Sequence, residues 1–187
     1  NSLLYALTRK EFQVWFQPQF RTADLALCGR EALIRWQHPE HGMISPARFI
    51  PVAEASGLIR DIDQWMLSES CKILVSSGAA GWLSVNLSAR DIEDRRLVES
   101  VAAILEQTGL PAHRLDLEIT ESCIMRNPDE ALHRLHALRA LGVSLSVDDF
   151  GTGYSSLAYL KNLPIDRVKI DRSFVTDLDR NESSKHI

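Results

Sequence analysis

The chain has 187 residues, of which 45% are hydrophobic and 25% are charged, and it carries a formal net charge of -4. These values are typical of one folded domain with a substantial core, and the charge excludes the broad basic surface that binds nucleic acid polymers. A small anionic ligand remains compatible with this charge if a metal ion or a few arginine and lysine side chains lie beside it.

Two strands joined by a tight turn are predicted near the start of the chain. A short helix is expected around residues 3–7, and alternation predicts a strand over Phe12–Phe20, in which Pro18 is typical of a sheet edge. A turn at residues 22–24 leads to a second strand over residues 25–36. Because this connection is too short for a crossover helix, we expect the two strands to pair antiparallel.

Helices and strands alternate through the rest of the chain. Amphipathic patterns predict helices over residues 46–57, 59–77, 97–108, 128–142 and 154–163. Strands are predicted over residues 83–88, 115–120, 143–148 and 167–171. The first of these helices is expected to be capped by the hydroxyl of Ser45. The segment before it contains His38 and His41, and we expect a solvated turn there rather than a metal site.

This alternation indicates parallel βα units from residue 83 onward. Each strand has one apolar face and one face of Ser, Asn, Asp, Glu or Lys, whereas strands of a doubly wound sheet are apolar on both sides. We therefore expect an α/β fold, a TIM-like β/α barrel with an antiparallel first strand. Only six strands are predicted, so the last two βα units are expected to be lacking. Residues 1–187 would then be one C-terminally incomplete domain of a longer protein.

Polar side chains from five strands are expected to meet at the carboxyl end of the barrel, where barrel enzymes carry out chemistry. They are Glu31, Asn86, Glu118, Asp148 and Lys169. Three carboxylates and an amide oxygen suit Mg²⁺ or Mn²⁺ and disfavour zinc or copper. Asp149 follows Asp148, and Gly151 and Gly153 are expected to bend the chain so that both acids face one cavity. Two ions sharing Asp148 would activate a water molecule for attack on a phosphodiester.

Structural roles for these residues stay open on the pattern alone. Each acid could be a hydrogen-bonded structural carboxylate, although burying several acids together without cations is costly. Lys169 could form an internal salt bridge with Asp171 or Asp149, or it could hold a water or a phosphate oxygen. Arg35 shares a strand face with Glu31 and could pair with that carboxylate or bind a phosphate with its guanidinium fork.

Three further polar residues carry weaker signals. Gln17 lies in the first strand and could be a satisfied polar residue of the hairpin. Glu121 lies just beyond the strand at residues 115–120, and we expect it to steady the loop after Asp149. Asp116 is expected to face inward, without a role that the sequence suggests.

Cysteine usage favours a reducing compartment. Cys28, Cys71 and Cys123 are widely spaced and form no Cys-x-x-Cys pair, which disfavours a disulfide framework or a zinc site. No apolar run approaches the roughly 20 residues needed to cross a bilayer, and the start of the chain lacks a signal-peptide pattern. We therefore expect a cytoplasmic setting, which includes the cytoplasmic module of a membrane-bound multidomain protein.

Six segments of the sequence form a recognisable series. They are Gln17-Pro18, Glu31-Ala-Leu33 with the following Ile34-Arg35-Trp36, and residues 85–88, 117–121, 148–156 and 169–171. In this order they resemble the motifs of EAL domains, the phosphodiesterases that linearise the bacterial messenger cyclic di-GMP. The resemblance covers essentially the whole chain and implies hydrolysis of cyclic di-GMP to linear pGpG. The alternatives are an inactive receptor for cyclic di-GMP and a dimerisation scaffold.

The resemblance also implies roles for individual residues. One Mg²⁺ or Mn²⁺ ion would be held by Glu31, Asn86, Glu118 and Asp148, and a second ion would use Asp148 and Asp149. The attacking water would be positioned by Lys169. Substrate would be bound by Gln17, Arg35 and Asp171. Glu121 would steady the loop at residues 148–156, which in this family also serves homodimerisation.

The chain departs from the family pattern at its end. The family carries another glutamate on its seventh strand, which completes the second metal site, and a Gln-Gly motif near the eighth that helps hold guanine. Neither occurs before Ile187, so the second metal site is expected to be incomplete in this chain. Fused sensory or signalling domains are expected as partners within the parent protein.

Overall fold

The computed structural model describes residues 2–151 and 162–176. The strands are β1 (Phe12–Phe20), β2 (Leu27–His38), β3 (Gly42–Ile44), β4 (Trp82–Leu87), β5 (Leu115–Thr120), β6 (Ser144–Phe150) and β7 (Arg167–Ile170). The helices are α1 (Ser2–Ala6), α2 (Pro46–Ser56), α3 (Ile59–Ser76), α4 (Ala89–Glu93), α5 (Leu97–Thr108), α6 (Glu121–Arg126) and α7 (Pro128–Ala140). A 3-10 turn at Ala112–Arg114 and a short helix at Arg172–Thr176 complete the described elements.

One sheet holds all of these strands. Its order is β1-β2-β4-β5-β6-β7, with β3 paired to β2. The β1/β2 and β2/β3 pairs are antiparallel, and every pair from β2/β4 to β6/β7 is parallel. The predicted hairpin and the predicted parallel units are therefore confirmed, as is the TIM-like β/α barrel class. Within the described ranges, β1 and β7 are the two edges of this sheet.

The apolar core lies on the outer face of the sheet, under the helices. Alternation in β4, β5 and β6 sends one apolar side chain in two toward α3, α5 and α7. Leu83, Leu117, Leu145, Leu135 and Leu138 are completely buried in this cluster. Burial of each such side chain contributes about 1.5–3 kcal/mol, which fixes the register of the strands and hence the direction of the polar side chains.

The inner face of the sheet carries a layer of polar side chains around Asp116. The Asp116 carboxylate, only 2% exposed, accepts hydrogen bonds from Ser84 Oγ at 3.0 Å and Ser146 Oγ at 2.8 Å. It also forms an ion pair with Arg167 Nη1 at 3.0 Å. These contacts join β5 to β4, β6 and β7, so the inward-facing Asp116 fastens four neighbouring strands.

Several local expectations differ from the structure. Leu25 has a left-handed backbone, with φ of 55°, and therefore belongs to the turn rather than to β2. Ser45 occupies the cap position of α2, but its hydroxyl makes no capping hydrogen bond. The sequence pattern also missed β3, α4 and α6, which are three, five and six residues long.

The turn after β2 is solvated as expected at Pro39, Glu40 and His41, which are exposed, whereas His38 at the end of β2 is buried. His38 is 7% exposed, and its Nδ1 accepts the backbone N–H groups of Glu40 and His41 at 3.1 and 3.3 Å. Its ring stacks on that of His41 and packs edge-on against Trp36. The imidazole therefore serves as an acceptor that closes the turn between β2 and β3.

The helix predicted over residues 154–163 lies outside the described residues except for its last two positions.

Within the part of the chain that is described, helices of the length and apolarity needed to span a bilayer do not occur.

Candidate metal and substrate site

Five strands bring the predicted polar residues to one end of the sheet. The residues are Glu31 on β2, Asn86 on β4, Glu118 on β5, Asp148 on β6 and Lys169 on β7. Neighbouring pairs in the ladder, such as Asn86 opposite Glu118, share the inner face because directly paired residues point the same way. The last four each lie two residues beyond a polar residue on the same strand, and those preceding residues are Ser84, Asp116, Ser146 and Arg167.

The centre of this group is the ammonium of Lys169. Its Nζ lies 2.5 Å from Glu118 Oε2, 2.8 Å from Asp148 Oδ2 and 3.2 Å from Glu31 Oε2. Burial lowers the pKa of Lys169, but the hydrogen bonds that its ammonium donates to Asp148 and Glu118 and the nearby negative charges outweigh this effect and raise the pKa above its ordinary value. The salt bridge considered from the sequence thus exists, but with these three carboxylates in place of Asp171 or Asp149.

Glu118 is the most buried of the three acids. It is 1% exposed, and its Oε1 atom is buried with no hydrogen-bond partner in the described residues. Desolvation raises the pKa of Glu118 to about 7, although the hydrogen bond and the charge of Lys169 oppose this rise. A buried carboxylate oxygen without a partner is costly, and a cation would satisfy it.

The geometry of the acids fits a hard metal ion. Glu31, Glu118 and Asp148 each offer an oxygen, and these three atoms all lie within 4.8 Å of one another. The Asn86 amide donates Nδ2 to Glu31 Oε1 at 3.0 Å, which leaves its carbonyl oxygen as an additional acceptor. Among the described residues, three carboxylates face the ammonium of Lys169, so this cluster has net negative charge. An oxygen-only set of this kind suits Mg²⁺ or Mn²⁺.

A bulge in β6 shapes the acid pair. Val147 pairs with Val168, and Phe150 pairs with Ile170, so two residues of β6 lie opposite Lys169 alone. These two residues are Asp148 and Asp149. Such an extra residue bends the strand and redirects its side chains.

The backbone bend after Asp148 was expected at Gly151 and Gly153, but in the structure it already begins at Asp149. Asp149 itself has a left-handed backbone, with φ of 54°, and its N–H donates to Asp148 Oδ1 at 2.9 Å. Gly151 also has positive φ, at 94°, whereas Gly153 lies outside the described residues. Burial and the charges of Asp148 and Asp171 raise the pKa of Asp149, which places it within the field of the cluster.

Glu121 begins α6 and reaches the loop that follows the acid pair. It is 7% exposed, and its Oε2 accepts the N–H of Gly151 at 3.3 Å. A side chain at Gly151 would meet the ring of Phe174 at 2.9 Å, so the chain passes closely over the helix at Arg172–Thr176. Residues 152–156 of the predicted dimerisation loop lie outside the described residues.

The residues expected to bind substrate lie around this cluster. Gln17 on β1 is exposed and is paired directly with Glu31 on β2. Among the described residues the ion pair of Glu31 is with Lys169, whereas the guanidinium carbon of Arg35 lies 5.4 Å from the ring centroid of Trp15. Asp171 caps the helix at Arg172–Thr176, because its Oδ1 accepts the N–H of Ser173 at 2.9 Å.

Trp15 is a feature that the sequence analysis missed. It alternates with Gln17 on β1, and this spacing alone places its side chain on the inner face. An aromatic residue in a strand is so common that the pattern offered no reason to single it out.

Comparison with known proteins gives a consistent result. The model of the EAL domain matches residues 1–187. The chain is 44% identical over 191 residues to the Cyclic di-GMP phosphodiesterase NbdA of Pseudomonas aeruginosa, covering 100% of this chain and 24% of that protein. It is 44% identical over 182 residues to the Bifunctional diguanylate cyclase/cyclic di-GMP phosphodiesterase MucR of the same species, covering 95% of this chain and 27% of MucR. The chain therefore spans about a quarter of the length of these relatives.

Solved structures with the same fold include nucleotide complexes. The structure described as PaMucR Phosphodiesterase, c-di-GMP complex superposes with a TM-score of 0.94 at 42% identity, covering 99% of this chain and 76% of that one. The FimX EAL domain from Pseudomonas aeruginosa, bound to c-di-GMP, superposes with a TM-score of 0.89 at 28% identity, covering 98% of this chain and 75% of that one.

Proposed function

The chain belongs to the EAL domain family, and we propose that it hydrolyses cyclic di-GMP to linear pGpG in bacterial second-messenger signalling. The observation that carries this proposal is the inward-facing cluster of Glu31, Glu118 and Asp148 around Lys169. The relatives NbdA and MucR, which are named as cyclic di-GMP phosphodiesterases, support the same substrate.

The metal would be Mg²⁺ or Mn²⁺, held by Glu31, Asn86, Glu118 and Asp148, with Asp149 contributing to a second ion. Glu118 Oε1 has no hydrogen-bond partner in the part of the chain that the structure describes, and this atom and the closeness of the three carboxylates support the assignment. When bound, the ions would supply Lewis-acid activation of water and would offset charge on the phosphodiester.

Lys169 would act as a donor and not as a base. Since its pKa is raised, the ammonium stays protonated at neutral pH and can hold the attacking water or a phosphate oxygen by a hydrogen bond. In the reaction, the water oxygen loses a proton and forms a bond to phosphorus, the bond from that phosphorus to the ribose 3′ oxygen breaks, and the 3′ oxygen takes up a proton, which balances the one released by the water. Each turnover of this kind converts the ring into a linear dinucleotide.

Gln17, Arg35 and Asp171 would bind the substrate. Arg35 carries a permanent positive charge on the inner face of β2, four residues from Glu31, where a phosphate of the dinucleotide would meet it. Gln17 stands directly opposite Glu31 and offers both a donor and an acceptor. The carboxylate of Asp171 already accepts a hydrogen bond from Ser173, so it would contact substrate through its remaining lone pairs. Glu121 would hold the loop after Asp149 in place.

The context of the domain is also a proposal. Residues 1–187 would form one EAL-type phosphodiesterase domain that is fused to sensory or signalling domains, which the greater length of NbdA and MucR supports. The domain would form a homodimer through the region of residues 148–156. The free thiols of Cys28, Cys71 and Cys123 favour a cytoplasmic setting.

The test is product analysis with the full-length protein. Cyclic di-GMP is incubated with the protein and Mg²⁺ or Mn²⁺, and chromatography follows the appearance of linear pGpG. We expect the product with wild type and none with Glu31→Gln. If the protein binds cyclic di-GMP but forms no product, the inactive receptor replaces the enzyme; if it neither binds nor cleaves, both are excluded.

A further inference from the structure

Trp15 is a large aromatic side chain that is left half exposed in the middle of β1. Its exposed fraction is 51%, whereas Trp36 on the neighbouring strand is 5% exposed. Phe20 on the same strand is 56% exposed, so exposure alone does not distinguish Trp15, and the position of its ring has to indicate a ligand.

The strand register places Trp15 on the same face as the proposed metal ligands. Gln17 pairs with Glu31, and Trp15 pairs with Leu33, two residues further along β2. Because directly opposed residues point to the same side of the sheet, the indole of Trp15 and the carboxylate of Glu31 face the same space.

Two contacts hold the indole in place. Its Nε1 donates a hydrogen bond to Gln13 Oε1 at 3.2 Å. The guanidinium carbon of Arg35 lies 5.4 Å from the centroid of the ring, within the range of a cation–π interaction. Gln13 and Arg35 are themselves opposed across the β1/β2 pair, so all three side chains form one row on the inner face.

The contacts of Arg35 with Ile34 and Trp15 leave other N–H groups of its guanidinium for a phosphate. Arg35 Nη1 donates one hydrogen bond to the backbone oxygen of Ile34 at 2.8 Å, and the guanidinium carbon lies 5.4 Å from the centroid of the indole ring. A guanidinium beside an aromatic ring keeps its other N–H groups as donors, and their fork matches two phosphate oxygens.

The spacing suits a dinucleotide. Arg35 is four residues beyond Glu31, which corresponds to about 13 Å along an extended strand. A phosphate bound near Arg35 would therefore lie away from the phosphorus under attack near Glu31, and a base would lie beside Trp15. Aromatic side chains are the usual stacking surface for unpaired nucleobases.

We propose that Trp15 positions the guanidinium of Arg35 for phosphate and offers its exposed surface as a stacking wall for one guanine base. This inference rests on the proposed function, because it assumes that a guanine dinucleotide enters this site. Trp15 is a binding and positioning residue, so its loss should affect substrate affinity far more than the chemical step.

The first test separates KM from kcat. Trp15→Ala in the full-length protein should raise the KM for cyclic di-GMP about tenfold, because a stacked base and an oriented arginine are lost together, while kcat changes little. Trp15→Phe keeps an aromatic face and should restore most of the affinity. If Trp15→Ala leaves KM unchanged, or lowers kcat and the melting temperature with KM unchanged, the inference is overturned.

The second test is spectroscopic. Stopped-flow mixing with cyclic di-GMP should quench tryptophan emission before product appears, since a guanine would stack on an exposed indole. The quench should disappear in Trp15→Phe and persist in the matched control Trp65→Phe, whose ring packs against the core. A quench that survives in Trp15→Phe contradicts the stacking. If the wild type neither binds nor cleaves cyclic di-GMP, the proposed function fails first and this inference falls with it.

Discussion

Lys169 Nζ donates a hydrogen bond to Glu118 Oε2 across 2.5 Å, although 51 residues separate the two in the chain. The contact joins β7 to β5 over the strand that lies between them. This hydrogen bond holds the ammonium among the carboxylates. The ammonium would therefore compete with a divalent ion for the same carboxylate oxygens.

Lys169→Met should separate catalysis from metal binding. Methionine keeps much of the length of the side chain but removes the charge and the donors. We expect kcat to fall roughly 100-fold, as for the loss of a donor that stabilises a transition state. The affinity for Mn²⁺, followed by isothermal titration calorimetry, should not decrease, because the competing ammonium is gone. Lys72→Met, which changes an exposed lysine of α3, is the matched control. A loss of Mn²⁺ binding in Lys169→Met would contradict this account.

Glu118 should give the metal-free protein a distinct pH dependence. Its pKa is about 7 in the folded state against 4.5 for an ordinary glutamate, so the folded state binds the proton more tightly than the unfolded state. The contribution of this group to the free energy of unfolding is therefore most favourable below pH 4.5 and declines as the pH rises to about 7.

Glu118→Gln checks that assignment. The amide is neutral at every pH, so the decline between acid and neutral pH should be reduced when unfolding in urea is measured in the presence of a chelator. The same variant should lose metal-dependent hydrolysis. An unchanged pH profile would show that another group causes the decline.

Metal binding should stabilise the fold. An ion that binds only the folded state raises its stability in proportion to the logarithm of the ion concentration above the dissociation constant. Addition of Mg²⁺ or Mn²⁺ to chelator-treated protein should raise the melting temperature, and exhaustive chelation should abolish hydrolysis. Asp148→Asn should show a much smaller shift, whereas Asp129→Asn, an exposed acid of α7, should behave as wild type. Hydrolysis that persists after chelation would exclude the mechanism.

Asp116 should matter for stability and not for chemistry. Asp116→Ala removes the acceptor for Ser84 and Ser146 and leaves Arg167 without its partner. We expect a loss of about 3 kcal/mol in the free energy of unfolding, at the lower end for a buried pair because Arg167 is partly exposed. Urea denaturation measures the loss, and the kcat of the folded fraction should stay close to wild type. A fully active and fully stable variant would contradict the structural role.

The sequence predicted most of the sheet because alternation is a local signal. Two-residue periodicity in β4, β5 and β6 separated the side chains under the helices from those inside, which is sufficient to bring Asn86, Glu118 and Asp148 to one end. The parallel order followed from the helices between the strands. Boundaries differed by one or two residues where a turn, as at Leu25, decides the end of a strand.

Features that depend on non-local contacts could not be predicted. Asp116 links neighbouring strands through its contacts with Ser84, Ser146 and Arg167. Alternation places these side chains on the inner face, but it does not predict which of them contact each other. The left-handed backbone of Asp149 accompanies the bulge opposite Lys169, and although aspartate tolerates this conformation, its residue type alone does not locate the bulge. Short elements such as β3 and α4 are held by their neighbours and leave too few residues for a periodic pattern.

The central claim is that Glu31, Glu118 and Asp148 form the site of a divalent ion. Anomalous diffraction from crystals of the full-length protein grown with Mn²⁺ tests it most directly. The account predicts an anomalous peak among these three carboxylates, with Lys169 moved away from at least one of them. A map without a peak there, in which Lys169 still binds all three carboxylates while Mn²⁺ supports hydrolysis, would contradict it.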